Sequence, residues 1–201
     1  IRLEAEMLRD QALAVSGLLS RKMFGPSVMP PQPEGVWQVV YSGDQWITSQ
    51  GEDKYRRGIY TFWRRTSPYP SMITFDAPSR EFCVDRRMRS NTPLQALTLL
   101  NDAVYIEAAQ ALAKRLLAQA DATPAQRIAF GFAACLARDP NEQETLPLVA
   151  LYESELSHFT QDPAGATAMC GGVVEGVDSA QLAAWTVVAN VLLNLDEMVT
   201  K

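Results

Sequence analysis

Apolar residues recur at helical spacing through much of this chain. Over 2–19, apolar side chains repeat at intervals that place them on one face of a helix, which predicts an amphipathic helix. The stretch 182–195 is apolar almost all round, and helices of that kind are normally buried on every side. We therefore expect a buried final helix that places Trp185, Val188 and Leu192 at the centre of the fold.

Capping signals mark where several more helices begin. The chain reads T-P-L-Q at 92–95 and T-P-A-Q at 123–126, and each of these is a capping box with proline at the first helical position. The pair N-D at 101–102 favours a break between two helices, because both residue types cap well. Further helices are predicted over 103–118, 125–137, 141–159 and 163–169, and from 179 onward.

The first half of the chain has weaker signals. A proline-rich linker at 29–33 precedes two short runs, 36–41 and 45–48, that flank turn residues and predict a small β-hairpin. The stretch 55–65 is predicted as a helix with an aromatic face and an arginine face. The stretch 67–90 is predicted as a long irregular connection, and such connections tend to be functional when they are ordered.

These elements predict a mainly α protein. We expect a compact multi-helix bundle of six or seven helices, with one small β-hairpin and a long ordered Arg-rich loop. The length and the 47% hydrophobic content suit one helical domain over 1–201, since domains usually have about 100–200 residues. Its parts are a helix, linker and hairpin at 1–53, an Arg-aromatic helix and loop at 54–91, and a helical bundle at 92–201.

Charge changes this picture at one place. The stretch 54–89 holds nine of the eighteen Lys and Arg, eight of them Arg, against three acids, so its balance is +6. The rest of the chain has nine bases and twenty acids, a balance of −11. The overall charge of −5 argues against general nucleic-acid binding, and no apolar run approaches the ~20 residues of a membrane span.

Three interpretations of this arginine block are open. The acids Asp76, Glu81 and Asp85 could pair with Arg80, Arg86, Arg87 or Arg89 and pin the loop, because the planar guanidinium holds carboxylates in fixed geometry. The block could instead bind a sulfated or carboxylated glycan or an acidic partner, with Tyr60, Trp63 or Tyr69 as an exposed stacking surface. Two of the acids could also act as an acid–base pair in hydrolysis, which requires a defined separation and unequal pKa values. The candidate ligand-binding residues are Arg57, Arg64, Arg65, Trp63, Tyr69, Arg80, Arg86 and Arg87.

Metal and nucleophile chemistry has little support in the sequence. His158 is the only histidine, and Cys83, Cys135 and Cys170 are far apart and form no C-x-x-C pair. We therefore predict no metal site, no cofactor and no catalytic residue within this chain.

Several long motifs carry a family resemblance. They read Y-R-R-G-I-Y-T-F-W-R-R-T-S-P-Y-P-S-M at 55–72, F-D-A-P-S-R-E-F-C at 75–83 and R-S-N-T-P-L-Q-A-L-T-L-L-N-D at 89–102. With G-P-S-V at 25–28 and L-L-N-L-D-E at 192–197, they resemble a planctomycete-specific domain of unknown function. In that family the domain lies at the C-terminal end of large envelope proteins, behind a cytochrome-c-like domain and a second domain of unknown function.

The resemblance implies a context rather than a reaction. It implies an extracytoplasmic location, in the periplasm or cell envelope, and a C-terminal fragment of a larger protein, which agrees with a chain that opens at Ile1 inside a predicted helix. The first hypothesis is a non-catalytic interaction module that docks to its own upstream domains or to an acidic ligand such as an anionic glycan. The alternatives are part of a polysaccharide-active enzyme completed by an upstream domain, and a scaffold that shields the cytochrome-c-like domain.

Overall fold

The chain is mainly α-helical. The computed structural model describes residues 1–37, 43 and 45–200, and these contain nine α-helices and no β-strand. The helices are α1 (Ala5–Ser16), α2 (Pro70–Thr74), α3 (Pro93–Asn101), α4 (Ala103–Leu117), α5 (Pro124–Leu136), α6 (Glu142–Gln161), α7 (Pro163–Met169), α8 (Ser179–Leu193) and α9 (Asp196–Val199). The helical class is confirmed, and the helices beyond the predicted six or seven include the short α2 and α9.

The bundle is built around α8. This helix packs against α4, α6 and α7, and Trp185, Val188 and Leu192 have no exposed surface. The Trp185 ring stacks on Tyr152 of α6, with ring centroids 4.4 Å apart. Gly131 of α5 allows a close approach to α8, because a Cβ added there would lie 2.7 Å from Leu192 Cδ1. The central position predicted for the final helix is confirmed.

Most helix starts follow the capping signals. Thr123 accepts a hydrogen bond from the Gln126 backbone N–H, and the Gln126 side chain accepts one from the Thr123 N–H at 2.8 Å, which completes the capping box. Asp102 separates α3 from α4 and caps α4 by accepting from Val104 N at 2.9 Å. Thr92 also occupies an N-cap, but its side chain makes no capping bond there. The helix start at Thr92 was predicted correctly and its side-chain bond was not.

The predicted helix at 55–65 is wrong. This stretch contains the end of one 3₁₀ segment, Gly51–Tyr55, and a second, Gly58–Tyr60, followed by extended backbone. Its backbone groups bond sideways, since Tyr60 O accepts from Val28 N at 2.8 Å and Phe62 N donates to Val28 O at 2.7 Å. Gly58 also lies against α1, where an added Cβ would be 2.9 Å from the Glu6 Cα. Tertiary contacts therefore override the helical spacing of the side chains.

The predicted β-hairpin is not supported. Residues 36–37, 43 and 45–48 include no strand, and the remaining hairpin positions, 38–42 and 44, lie outside the described residues. Trp46 instead donates from Nε1 to Pro30 O at 2.8 Å and stacks on Tyr69 with a centroid distance of 5.8 Å. This segment is thus held to Tyr69, the residue directly before α2, by an aromatic contact.

Candidate functional site

The irregular segment predicted before α3 forms a closed loop at 76–90. Asp76 has a positive φ of 60°, and its carboxylate accepts hydrogen bonds from Ser90 N at 2.7 Å and from Ser90 Oγ at 2.8 Å. The two ends of the loop therefore meet, as in the compact Ω-loops of about 6–16 residues that are frequently functional. We refer to this segment as the 76–90 loop.

Gln95 fastens the base of the 76–90 loop to neighbouring helices. Its side chain is buried, donates to Thr74 O at 2.9 Å and Ser90 Oγ at 3.1 Å, and accepts from Arg2 Nη2 at 2.6 Å. These bonds join the base of the loop to the end of α2 and to Arg2, near the start of the chain. They also explain why Gln95 does not complete the capping box at Thr92, because its amide is used elsewhere.

Arg87 fastens the far side of the loop to α1. Its guanidinium donates to both carboxylate oxygens of Glu6, at 2.7 and 3.1 Å, and lies 3.1 Å from Glu4. Partial burial raises the pKa of Glu6, but the hydrogen bonds and charge of Arg87 outweigh it, so the net pKa is lowered. The hydrogen bond to Glu6 in turn raises the pKa of Arg87. The pair is therefore charged at neutral pH and holds the loop electrostatically.

Trp63 provides a third attachment. Its Nε1 donates to Ser79 O at 3.1 Å, and the Arg80 guanidinium lies over its ring, 5.0 Å from the centroid. Arg80 has a positive φ of 64°, which is uncommon for a side chain of its size. The start of the loop is thus fixed against the Trp63 ring. The base and the far side of the loop are fixed by polar contacts instead.

The outer part of the loop is open to solvent. Every residue from 80 to 89 is exposed except Arg87, which is half-buried. Phe82 and Met88 are 69% and 79% exposed, and they alternate with the exposed Arg80, Arg86 and Arg89. We call the exposed residues of 80–89 the 80–89 surface. It combines arginine with large apolar groups, which are enriched at protein interfaces.

The arginines of the loop do not pair with the acids of the same loop, in contrast to one of the three interpretations of the sequence. Asp76 bonds to Ser90 and not to an arginine. Glu81 and Asp85 are exposed, and neither forms an ion pair with Arg80, Arg86 or Arg89 among the described residues. The loop is pinned, but through carboxylates of α1.

Other members of the arginine block stabilise the fold. Arg57 Nε lies 3.2 Å from Asp10 of α1, and Lys54 Nζ lies 2.7 Å from Glu107 of α4. Arg56 is 1% exposed and donates to Phe24 O and, at 2.9 Å, to Pro26 O. Sequence reasoning did not single out Lys54 or Arg56. The glycine that follows Arg57 was the available sign that this stretch packs closely instead of forming a helix.

The remaining candidates divide between buried and exposed positions. Tyr69 is 1% exposed and donates its hydroxyl to Pro31 O at 2.6 Å, so its predicted role as an exposed stacking surface is wrong. Burial raises the pKa of Tyr69, which keeps the hydroxyl protonated. The Arg64 guanidinium lies over Trp37, 4.9 Å from the ring centroid. Arg65 and Arg86 are exposed.

Metal-ligating residues are dispersed in the described part of the chain. Within 1–37, 43 and 45–200, no group of three or more His, Cys, Asp or Glu side chains could hold a metal ion. Cys83 is exposed on the 76–90 loop, whereas Cys135 and Cys170 are buried. Among the same residues, no helix is long and apolar enough to cross a membrane.

Comparison with known proteins gives a family without an assigned activity. Residues 1–152, well over half of the chain, match the family PSD1, described as protein of unknown function (DUF1553). No curated protein and no solved structure shows significant similarity to the chain. The match covers α1, the 76–90 loop and the helices up to the middle of α6. The chain therefore belongs to the PSD1 family of proteins of unknown function, DUF1553.

Proposed function

We propose that this chain is a non-catalytic interaction module and that its 80–89 surface binds an acidic protein partner. The observation that carries this proposal is the contrast within the 76–90 loop. Its base, its start and Arg87 are fastened to α1, α2 and Trp63, while the rest of 80–89 is exposed. A loop that is already fixed in place loses less conformational entropy when it binds a partner.

The chemistry of the 80–89 surface supports an acidic partner. Arg86 and Arg89 are exposed and can make bidentate contacts with carboxylates, which a lysine could not match. The residues outside 54–89 carry a balance of −11, so an acidic partner would be repelled from most of the chain and attracted here. The contact would therefore be local and would weaken with salt.

The apolar residues support a protein over a glycan. Phe82, Val84 and Met88 are 69%, 45% and 79% exposed, and interface energy is commonly concentrated in a few side chains that enter pockets on the partner. A sulfated glycan offers few apolar surfaces of that kind. On the motif resemblance given above, we propose that the partner is an upstream domain of the same envelope polypeptide and that the module is extracytoplasmic.

The polysaccharide-enzyme alternative has no specific support in the described residues. It would require two carboxyl groups held in different environments at a fixed separation. Glu81 and Asp85 are exposed, and Asp76 is engaged at the base of the loop by Ser90. The interaction module is therefore the function that the geometry supports best.

A titration with two defined polyanions tests this proposal. The probes are an acidic copolymer of glutamate and tyrosine, which offers carboxylates and rings, and a sulfated polysaccharide, which offers anions alone. At low salt we expect the copolymer to bind, and the double variant Arg86→Ala/Arg89→Ala to weaken binding about tenfold, equivalent to about 1.4 kcal/mol. Phe82→Ala should weaken copolymer binding as well.

The control is Lys114→Ala, which removes an exposed cation from α4 and should leave binding unchanged. Binding of the sulfated polysaccharide alone, unaffected by Phe82→Ala, would replace the protein partner with a glycan. Absence of binding to both probes, or equal loss in Lys114→Ala, would refute the interaction function.

A further inference from the structure

A cavity of about 570 Å³ is lined by residues on both sides of the segment 38–42. Its volume lies in the range of sites that bind small organic molecules, about 300–1,000 Å³. The polar and aromatic side chains that line it are Gln32, Glu34, Trp37, Gln45, Trp46 and Thr48. None of them belongs to the 80–89 surface, so this cavity is a separate feature of the molecule.

The aromatic wall of the cavity is held in place by the rest of the protein. Trp46 Nε1 donates to Pro30 O at 2.8 Å, and the Trp46 ring stacks on the buried Tyr69. The Trp37 ring meets the Trp46 ring edge to face, with centroids 5.3 Å apart, and lies 6.0 Å from the Phe62 ring. A ligand would therefore meet a largely pre-formed wall and lose little binding energy to ordering it.

The two indoles give the cavity an apolar surface that suits an uncharged ligand. Trp37 and Trp46 are half-buried, so part of each ring is left uncovered by the fold. The Arg64 guanidinium already lies over Trp37, 4.9 Å from the ring centroid. A cationic ligand placed on the same ring would be repelled by this charge.

The polar side chains of the lining exclude further classes of ligand. Glu34 is the one charged group among the described lining residues, so an anionic ligand would be repelled and a metal ion would find a single carboxylate. A wholly apolar ligand would bury the amides of Gln32 and Gln45 and the hydroxyl of Thr48 without partners, which is costly. The lining therefore fits a neutral ligand that has both an apolar face and hydrogen-bonding groups.

Two polar atoms in this wall have no hydrogen-bond partner among the described residues. They are Gln32 Oε1, an acceptor, and Trp37 Nε1, a donor, and both atoms are buried. Buried polar atoms without a partner are uncommon in folded proteins. A hydroxyl group can both donate and accept, so a ligand rich in hydroxyls satisfies both atoms once the two side chains turn toward it.

We propose that this cavity binds a neutral oligosaccharide. A sugar ring combines an apolar C–H face, which packs on an indole, with hydroxyls that bond to amide and hydroxyl side chains. An extended peptide fits less well, because strand addition requires a sheet edge and residues 36–37, 43 and 45–48 include no strand. The site goes beyond the proposed function, since it uses no residue of the 80–89 surface and its ligand carries no charge.

Isothermal titration calorimetry of the whole chain with chitotriose, cellotriose and maltotriose tests the proposal. At least one of these uncharged trisaccharides should bind, with the same affinity at low and high salt, because no ionic contact is involved. Trp37→Ala should weaken binding about tenfold or more, and Trp37→Phe, which keeps a ring, should weaken it less. Gln45→Ala removes an exposed amide from the lining and should weaken binding severalfold without changing the thermal unfolding midpoint.

The matched control is Gln143→Ala, which removes an exposed glutamine amide from α6 and should leave binding unchanged. Absence of binding for all three sugars at millimolar concentration would overturn the proposal, and so would binding that neither Trp37→Ala nor Gln45→Ala weakens. Tetramethylammonium chloride and a polyproline peptide are the probes for other ligands. Binding of either in place of the sugars, lost in Trp37→Ala, would assign the cavity to a cation or a peptide. Loss of copolymer binding in Arg86→Ala/Arg89→Ala leaves these outcomes unaffected, so the two proposals fail separately.

Discussion

Arginine serves three different purposes within a short part of this chain. Arg56 is buried and satisfies backbone carbonyls, and Arg87 is half-buried and neutralised by Glu6 and Glu4. Arg80 is exposed and lies over Trp63. The role of an arginine side chain therefore depends on its surroundings. Arg56 bonds to backbone carbonyls, Arg87 joins a loop to a helix, and Arg80 remains at the surface. Formal charge in the sequence overstates the charge available for binding.

The Glu6–Arg87 pair predicts a pH-dependent contribution to stability. Because the pKa of Glu6 is lowered in the fold from its ordinary value of 4.5, this contribution is present above that value and is lost as the pH falls through the lower folded pKa. Glu6→Gln should cost about 1–2 kcal/mol at neutral pH, since it removes a charge-assisted bond between side chains only 19% and 29% exposed. Chemical denaturation across the acidic range measures this.

The difference between wild type and Glu6→Gln should therefore narrow as the pH falls below 4.5. Glu81→Gln removes an exposed carboxylate from the 76–90 loop and is the control, with an expected change within about 0.5 kcal/mol. A Glu6→Gln cost that stays constant across this range would show that the carboxylate charge contributes nothing.

At the scale of elements, α3 and α5 begin with the same signal and use it differently. Both start with Thr, Pro and a glutamine at the third helical position. In α5 the glutamine returns to the N-cap, whereas in α3 Gln95 is buried and joins Thr74, Ser90 and Arg2. A local motif has thus been used for a long-range contact at the base of the 76–90 loop.

This difference gives a prediction for two matched substitutions. Thr123→Ala should lower the free energy of unfolding by about 1 kcal/mol, because it removes the bond to the Gln126 N–H. Thr92→Ala should change it by less than about 0.5 kcal/mol, because the Thr92 side chain makes no capping bond. Urea denaturation of both variants against wild type gives the values. Equal costs would mean that Thr92 caps α3 after all.

The elements that sequence predicted best are those with local causes. Helices α4 to α8 each follow a capping residue and are rich in apolar residues, which surround α8 almost completely, so their signals lie within or directly before the element. The stretch 55–65 has helical periodicity too, but its course depends on Val28 and on the α1 backbone at Glu6, far away in sequence. No local pattern encodes those contacts.

The candidate site was predicted in the same partial way. The arginine-rich composition marked the stretch that contains the 76–90 loop, where Arg86 is exposed, and binding at this loop stays a prediction. The partner of Arg87 could not be found from sequence, because Glu6 is 81 positions away and nearer acids were available. The burial of Tyr69 depends on Trp46 and Pro31, which likewise approach only in the folded chain.

At the scale of the whole molecule, a helical bundle supports the mostly irregular segment 54–90. The bundle is centred on α8, which contacts α3, α4, α5, α6 and α7. The irregular segment is attached to α1 through Arg57 and Arg87 and to α4 through Lys54. In the proposed function, binding belongs to the attached loops, whereas most of the apolar burial that stabilises the fold lies around α8.

This separation predicts that two tryptophan substitutions have different consequences. Trp185→Ala removes a fully buried ring that stacks on Tyr152, so it should cost about 3–5 kcal/mol in reversible denaturation. Trp63→Ala removes a half-buried ring that holds Ser79 and Arg80, so it should cost only about 1–2 kcal/mol.

Trypsin should cleave Trp63→Ala faster within 80–89 under native conditions, because the released loop becomes accessible. A Trp185→Ala cost below about 1 kcal/mol would contradict the central position of α8 in the stability of the fold, and unchanged cleavage of Trp63→Ala would contradict the attachment of the loop by Trp63.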